Sequence, residues 1–194
     1  MRTPAVLASI ALVSAVLAGC SSGGSDAASS SAAPTTGPWA TSDCSAIAPP
    51  QTSAAVAEGA VVEGEVATTT DLATAPVVSV LEGAVPVTSL VISDVVAGSG
   101  DAVAAGAEVT VEYCGVGLAS GTVFDSSWAR GEPATFPLAG VIAGWQEGIP
   151  GMQPGGRRLL VIPADLAYGD TPPPGSGIAP GESLVFVVDL VSSP

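Results

Sequence analysis

Within residues 88–194 a single stretch has helical periodicity, and the segments around it alternate or are β-branched. Val141, Ile142, Trp145 and Ile149 fall at i, i+1, i+4 and i+8, one face of a short helix bracketed by Gly140 and Gly148. Gly144 in its middle costs about 1 kcal/mol against Ala, so packing must hold this helix. Residues 88–96 (TSLVISDVV), 107–113 (AEVTVEY), 122–124 (TVF), 157–163 (RRLLVIP) and 183–191 (SLVFVVDLV) read as strands. In the second, Val109, Val111 and Tyr113 share one face while Glu108, Thr110 and Glu112 share the other, which predicts a sheet with a wet side. In the last, Leu184, Phe186, Val188 and Leu190 make an apolar face. An α+β fold follows, in which an antiparallel sheet of about five strands wraps the helix and buries both apolar surfaces. Trp145 then points into the concave side. Residues 170–181 (DTPPPGSGIAPG) form a long loop of the kind that often carries function.

Charge narrows the chemistry. The chain carries 4 basic against 18 acidic residues, a net charge of −14, and has no histidine. All four cations are arginines (Arg2, Arg130, Arg157 and Arg158), so lysine is absent too. Nucleic-acid binding is excluded for want of clustered cations. Ser-His-Asp and Cys-His catalysis, histidine metal sites, Schiff bases and lysine-containing phosphate loops are excluded with it. Arg157 and Arg158 alternate on a strand, so at most one is expected to face inward, each serving a surface or structural ion pair.

The N-terminus reads as an address. Arg2 precedes an apolar run, Ala5 to Ala18, too short to span a bilayer, and the run ends in Leu17-Ala18-Gly19-Cys20. This resembles the bacterial lipoprotein signal, which implies cleavage after residue 19 and a lipidated Cys20 on the extracytoplasmic side of the cell membrane, where acyl chains supply the anchor. Residues 20–75 are expected to be a flexible tether, because their first part is Ser-, Ala-, Gly-, Thr- and Pro-rich and cannot offset its ordering entropy. Residues 56–86 carry Val61, Val62, Val66, Leu72, Val77, Val78, Val80 and Leu81 and are intermediate, with a strap over 76–87 leading into a domain at 88–194. With Cys20 lipidated, Cys44 and Cys114 are left either as a disulfide, which export permits, or as one tether thiol and one buried thiol.

Motifs sharpen the domain's reading. Val111-Glu112-Tyr113, Gly121 to Ser127 (GTVFDSS), Phe136-Pro137-Leu138, Val141 to Gly148 (VIAGWQEG), Gly151-Met152 and Gly155 to Arg158 (GGRR) succeed one another. Ile162-Pro163, Leu166 to Gly169 (LAYG), Ile178-Ala179-Pro180 and Leu184-Val185-Phe186 continue the series. Together they resemble the FKBP-type peptidyl-prolyl cis-trans isomerases, in a lipoprotein form of the actinobacterial kind. The resemblance implies a half-open sheet around one helix with a proline-binding pocket between them. Trp145 would be its floor, and Tyr113, Phe124, Val141, Ile142, Tyr168, Ile178 and Phe186 its lining. Asp125 would sit at the rim, either orienting Tyr113 or serving as a turn residue. The Ile142 N–H and the Tyr168 hydroxyl would donate to a bound carbonyl, and Phe136 is read as core. Tyr113, Phe124, Asp125, Trp145, Tyr168 and Phe186 are thus the implied catalytic set, with Val141, Ile142 and Ile178 binding substrate.

No metal or cofactor is implied. The partners implied are proline-containing unfolded or exported polypeptides and macrolides such as tacrolimus or rapamycin, and a monomer is expected. Ala134 stands where an aromatic is frequent and Gly177 where a branched residue can occur, so a wider pocket is expected. A proline-binding chaperone module with little turnover is the alternative. The missing bases are no obstacle to the first reading. X-Pro rotation breaks no covalent bond, and its barrier of about 18–20 kcal/mol is amide resonance. An apolar, water-poor pocket favours the less polar twisted amide over the planar one.

Overall fold

Strand β11 (Leu184–Ser192) shows why one layer of structure is not enough: all of Leu184 to Leu190 is buried, with no wet face. Strand β10 (Arg157–Ile162) is likewise buried along its whole length. Both lie at the centre of an antiparallel six-stranded sheet in the order β6-β10-β11-β7-β8, with β6 (Val91–Val96), β7 (Glu108–Gly117) and β8 (Val123–Ser126). Strand β9 (Ala134–Pro137), which the hydropathy pattern does not announce, also pairs with β7. The computed structural model describes residues 37–193. The expected signal peptide, Cys20 and the first part of the expected tether lie outside the described residues.

Alternation sorts the central strands between two cores. Leu160, Ile162, Leu184, Phe186, Val188 and Leu190 face helix α2 (Ala143–Gly148), with Trp145 and Ile149. The helix lies close to β10 because its glycines have no side chains. A Cβ on Gly144 would collide with the Ile162 side chain, and one on Gly148 would come within 2.7 Å of Leu160 Cδ2. A shorter helix, α1 (Ser127–Arg130), follows β8. The Ser126 hydroxyl caps its start, and Gly131 at φ 79° ends it by donating to Ser127 and Trp128 carbonyls.

The other core corrects the expected tether, whose later part is ordered, while the strap over 76–87 is extended and packs on the domain through Val78 and Val80. Residues 39–81 are not a leash. They form β1 (Trp39–Asp43), β2 (Gln51–Ser53), β3 (Ala60–Glu63), β4 (Val66–Thr69) and β5 (Val77–Leu81), an antiparallel sheet in the order β2-β1-β5-β4-β3. Val66, Val78 and Val80 pack on Val116, Leu159, Val161, Val185 and Val187, the back of the larger sheet. Cys44 and Cys114 are disulfide-bonded, their Cα atoms 5.9 Å apart and 70 residues apart in sequence. A loop of that length contributes about 4 kcal/mol in the chain-entropy model. The expectation that at most one of Arg157 and Arg158 faces inward is also corrected. Layers cover both faces of β10, so the two residues are 0% and 7% exposed. Arg157 pairs with Asp189 and donates to the Thr69 and Thr74 carbonyls of the β1–β5 side. Arg158 pairs with Asp94 and donates to the carbonyls of Gly148 and Pro150, at the C-terminal end of α2.

Candidate active site

Trp145, 3% exposed, stands at the centre of a box of rings. Its centroid lies 5.6 Å from Tyr113, 5.8 Å from Phe136 and 5.3 Å from Phe186, with interplanar angles of 85–89°. Phe124 meets Phe186 edge-on at 5.5 Å. Such edge-to-face pairs set positive ring edges against negative faces and are each worth about 0.5–1.5 kcal/mol beyond burial. The backbone makes room for them. A Cβ on Gly115 would lie 2.5 Å from Phe124 and 3.0 Å from Phe186, so only glycine fits opposite this pair.

The box opens into a cavity of about 310 Å³ lined by Tyr113, Phe124, Asp125, Phe136, Gly140, Val141, Ile142, Trp145, Tyr168 and Phe186. Phe124 and Asp125 are consecutive, yet both line it. The β7–β8 register shifts between Gly115 and Val116, so Gly115 pairs with Asp125 and Val116 with Val123, leaving Phe124 as the extra residue of a bulge. A bulge turns consecutive side chains to one side, and Val123 and Ser126 then face the β1–β5 layer.

Asp125 orients Tyr113 rather than merely closing a turn. Its carboxylate accepts the Tyr113 hydroxyl at 2.5 Å and a guanidinium N–H of Arg130. Arg130 also donates to the Tyr113 oxygen at 2.9 Å, and its Cζ lies 5.3 Å from the ring centroid. Burial, then the bond to the Asp125 carboxylate, pushes the Tyr113 phenol up to about 12, against the opposing pull of Arg130. For Arg130, partial burial favours the neutral form, but its bonds to Tyr113 and Asp125 outweigh this and raise it. Tyr168 is raised by burial and then by the Asp125 charge. Its hydroxyl makes no hydrogen bond among the described residues, and neither does the Ile142 N–H at the start of α2. Two donors on residues that line a mostly apolar cavity are therefore without a protein acceptor among the described residues, as is the buried Trp145 indole N–H.

Tyr113, Phe124, Asp125, Val141, Ile142, Trp145, Tyr168 and Phe186 come together as the motifs imply. Ile178 does not line the cavity, but packs on the same core from the long loop. Phe136, read as core, packs on that core and lines the cavity as well, edge-to-face with Trp145. Arg130 lies outside the motifs that mark the site. Its signal is its place five residues after Asp125 in a chain with only four cations.

A half-open antiparallel sheet closed over one helix, with an aromatic box between them, defines an enzyme class that works by holding a conformation. A family model for FKBP-type peptidyl-prolyl cis-trans isomerases matches residues 100–191. A "Probable FK506-binding protein" of Corynebacterium glutamicum is 55% identical over 105 residues, covering 54% of this chain and 86% of that protein. An FK506-binding protein of Streptomyces anulatus is 50% identical over 112 residues, covering 57% and 90%. The crystal structure of FkpA from Escherichia coli aligns with a TM-score of 0.50 at 45% identity, covering 55% of this chain and 48% of that one. The chain belongs to the FKBP-type peptidyl-prolyl cis-trans isomerase family. Its β1–β5 layer lies outside the residues that the family model matches.

Proposed function

We propose that this isomerase turns X-Pro bonds in the Trp145 cavity, on exported polypeptides, from a lipid-anchored position outside the cytoplasmic membrane. The observation that carries the catalytic part is the pairing of an aromatic box, whose one carboxylate is committed to Tyr113 and Arg130, with two uncommitted donors, the Ile142 N–H and the Tyr168 hydroxyl. The proline ring sits on the Trp145 indole. The donors hold a flanking substrate carbonyl, so the chain on one side of the bond is fixed while the other rotates. Apolar walls favour the twisted amide, whose carbonyl is less polar than that of the planar form. Relatives named for FK506 binding support a macrolide of that class as a competitor for the same cavity.

The anchored location rests on the Leu17-Ala18-Gly19-Cys20 sequence and is supported by the Cys44–Cys114 disulfide, which suits an oxidising compartment. Exchange NMR on an X-Pro peptide tests the activity against an uncatalysed step of about 10–100 s. No acceleration at micromolar protein rejects turnover. Peptide binding without acceleration instead identifies a proline-binding chaperone module. Mass spectrometry of the membrane fraction tests the anchor, and an unmodified Cys20 overturns it.

A further inference from the structure

Tyr113 and Asp125 line the cavity, and Arg130 clamps both from outside it. The Asp125 and Arg130 side chains are each 42% exposed. An ion pair so open to water does little to fix its own geometry. The backbone beneath must therefore hold it, yet β8 sits at the end of its sheet and pairs only with β7 among the described residues. The Ser127 hydroxyl ties the following turn to β7 by accepting the Tyr113 N–H at 2.7 Å, and Phe124 packs on Phe186 of β11. A further support comes from the appended layer. The Ser126 hydroxyl, next to Asp125 and fully buried, donates to the Cys44 carbonyl at 2.6 Å. The same oxygen accepts the Ala129 N–H at 3.2 Å, capping the helix that ends in Arg130. Cys44 is bonded through sulfur to Cys114, and Cys114 is the cross-strand partner of Ser126. The Cys44 N–H is fixed in turn on the Pro76 carbonyl at 3.1 Å. Cys44, Cys114 and Ser126 thus form a closed ring directly behind Tyr113 and Asp125.

We propose that Ser126 is a positioning residue through which the β1–β5 layer sets the Tyr113–Asp125–Arg130 cluster at the cavity. The layer then belongs to the working site of this chain although it touches no substrate. The inference rests on the isomerase reading for its effect on turnover, but not for its effect on Tyr113.

In the full chain, Ser126→Ala is expected to lower kcat about fivefold, the scale of one buried hydrogen bond, while KM changes less than about twofold. It is also expected to lower the Tyr113 titration midpoint part of the way from about 12, because the Asp125 bond that raises it loosens while burial, the larger cause, stays; the midpoint is read by near-ultraviolet absorption with circular dichroism monitoring the fold. Ser42→Ala is the control. It removes another buried hydroxyl link between the layers, Ser42 to the Gly121 carbonyl at 2.7 Å, at the far end of the β7–β8 hairpin. It is expected to lower Tm comparably and leave the midpoint and kcat at wild type. A Ser126→Ala protein that matches Ser42→Ala in both readouts overturns the proposal. Should Ser126→Ala not fold, Cys44→Ser/Cys114→Ser opens the same ring with Ser126 in place. A lowered Tyr113 midpoint there supports the proposal, and an unchanged one overturns it. A wild-type chain without turnover rejects the isomerase reading and leaves the titration to decide this one.

Discussion

Tyr113 and Tyr168 are the chain's two tyrosines, and their hydroxyls have opposite fates. That of Tyr168 meets no acceptor among the described residues, so Tyr168→Phe removes a group the fold does not use. Its unfolding free energy is expected to stay within about 0.5 kcal/mol of wild type, while turnover falls about two- to tenfold, the range for one hydrogen bond to substrate. Equal turnover would remove the hydroxyl from the site. That of Tyr113 is committed to Asp125 and Arg130, which gives a pH signature. The native phenol titrates at about 12, above the unfolded value near 10. A raised native value means that the protonated phenol stabilises the fold fully below about pH 10, and that this contribution is lost as pH rises through about 12. Alkaline titration of the wild type should therefore show no Tyr113 ionisation at pH 10, and Tyr113→Phe should abolish the later step. Sequence motifs brought these tyrosines to one site but left the role of Asp125 open. That role depends on Arg130, whose approach needs the turn made by α1, a helix of only four residues.

At the scale of elements, the helix under the cavity was legible because Val141, Ile142, Trp145 and Ile149 keep helical spacing, although regular helix covers only Ala143–Gly148. Gly144 looked like a flaw in it. Propensity alone predicts that Gly144→Ala stabilises the helix by about 1 kcal/mol. The structure predicts the reverse sign, because the added methyl meets the Ile162 side chain inside a filled core. Overpacking of this kind costs about 1–3 kcal/mol, so Gly144→Ala should lower the denaturant midpoint and, by displacing Trp145, turnover. An unchanged or raised midpoint would mean that α2 can lift off β10 without loss. The β8 bulge was not legible, because a one-residue register shift leaves no trace in hydropathy. It decides which of Phe124 and Asp125 reaches the cavity, and both do. Strand β9 escaped for a related reason, since Ala134–Pro137 is short and ends in a proline.

At the scale of the whole molecule, the β1–β5 layer was hidden in a composition that reads as linker. Its strands are three to five residues long, and each buries few side chains, so no single strand carries a signal. The clue lay in the partner. The continuous apolar run of 183–191 needs cover on two faces, and one helix covers one. Arg157 lies where the layers meet, 0% exposed, bonded to Asp189 at 2.6 Å through two nitrogens and reaching across to the Thr69 and Thr74 carbonyls. A buried pair is weak evidence of net stabilisation, since apolar replacements of similar volume are often neutral. Removing one partner is different, because the other charge then stays out of water uncompensated. Asp189→Ala should accordingly cost about 3–5 kcal/mol in chemical denaturation. An Asp189→Leu/Arg157→Leu double variant should recover part of this and not all, because the Thr69 and Thr74 carbonyls lose their donor. A loss below about 1 kcal/mol for Asp189→Ala would mean that water reaches Arg157 and that the two layers part more readily than their shared core implies.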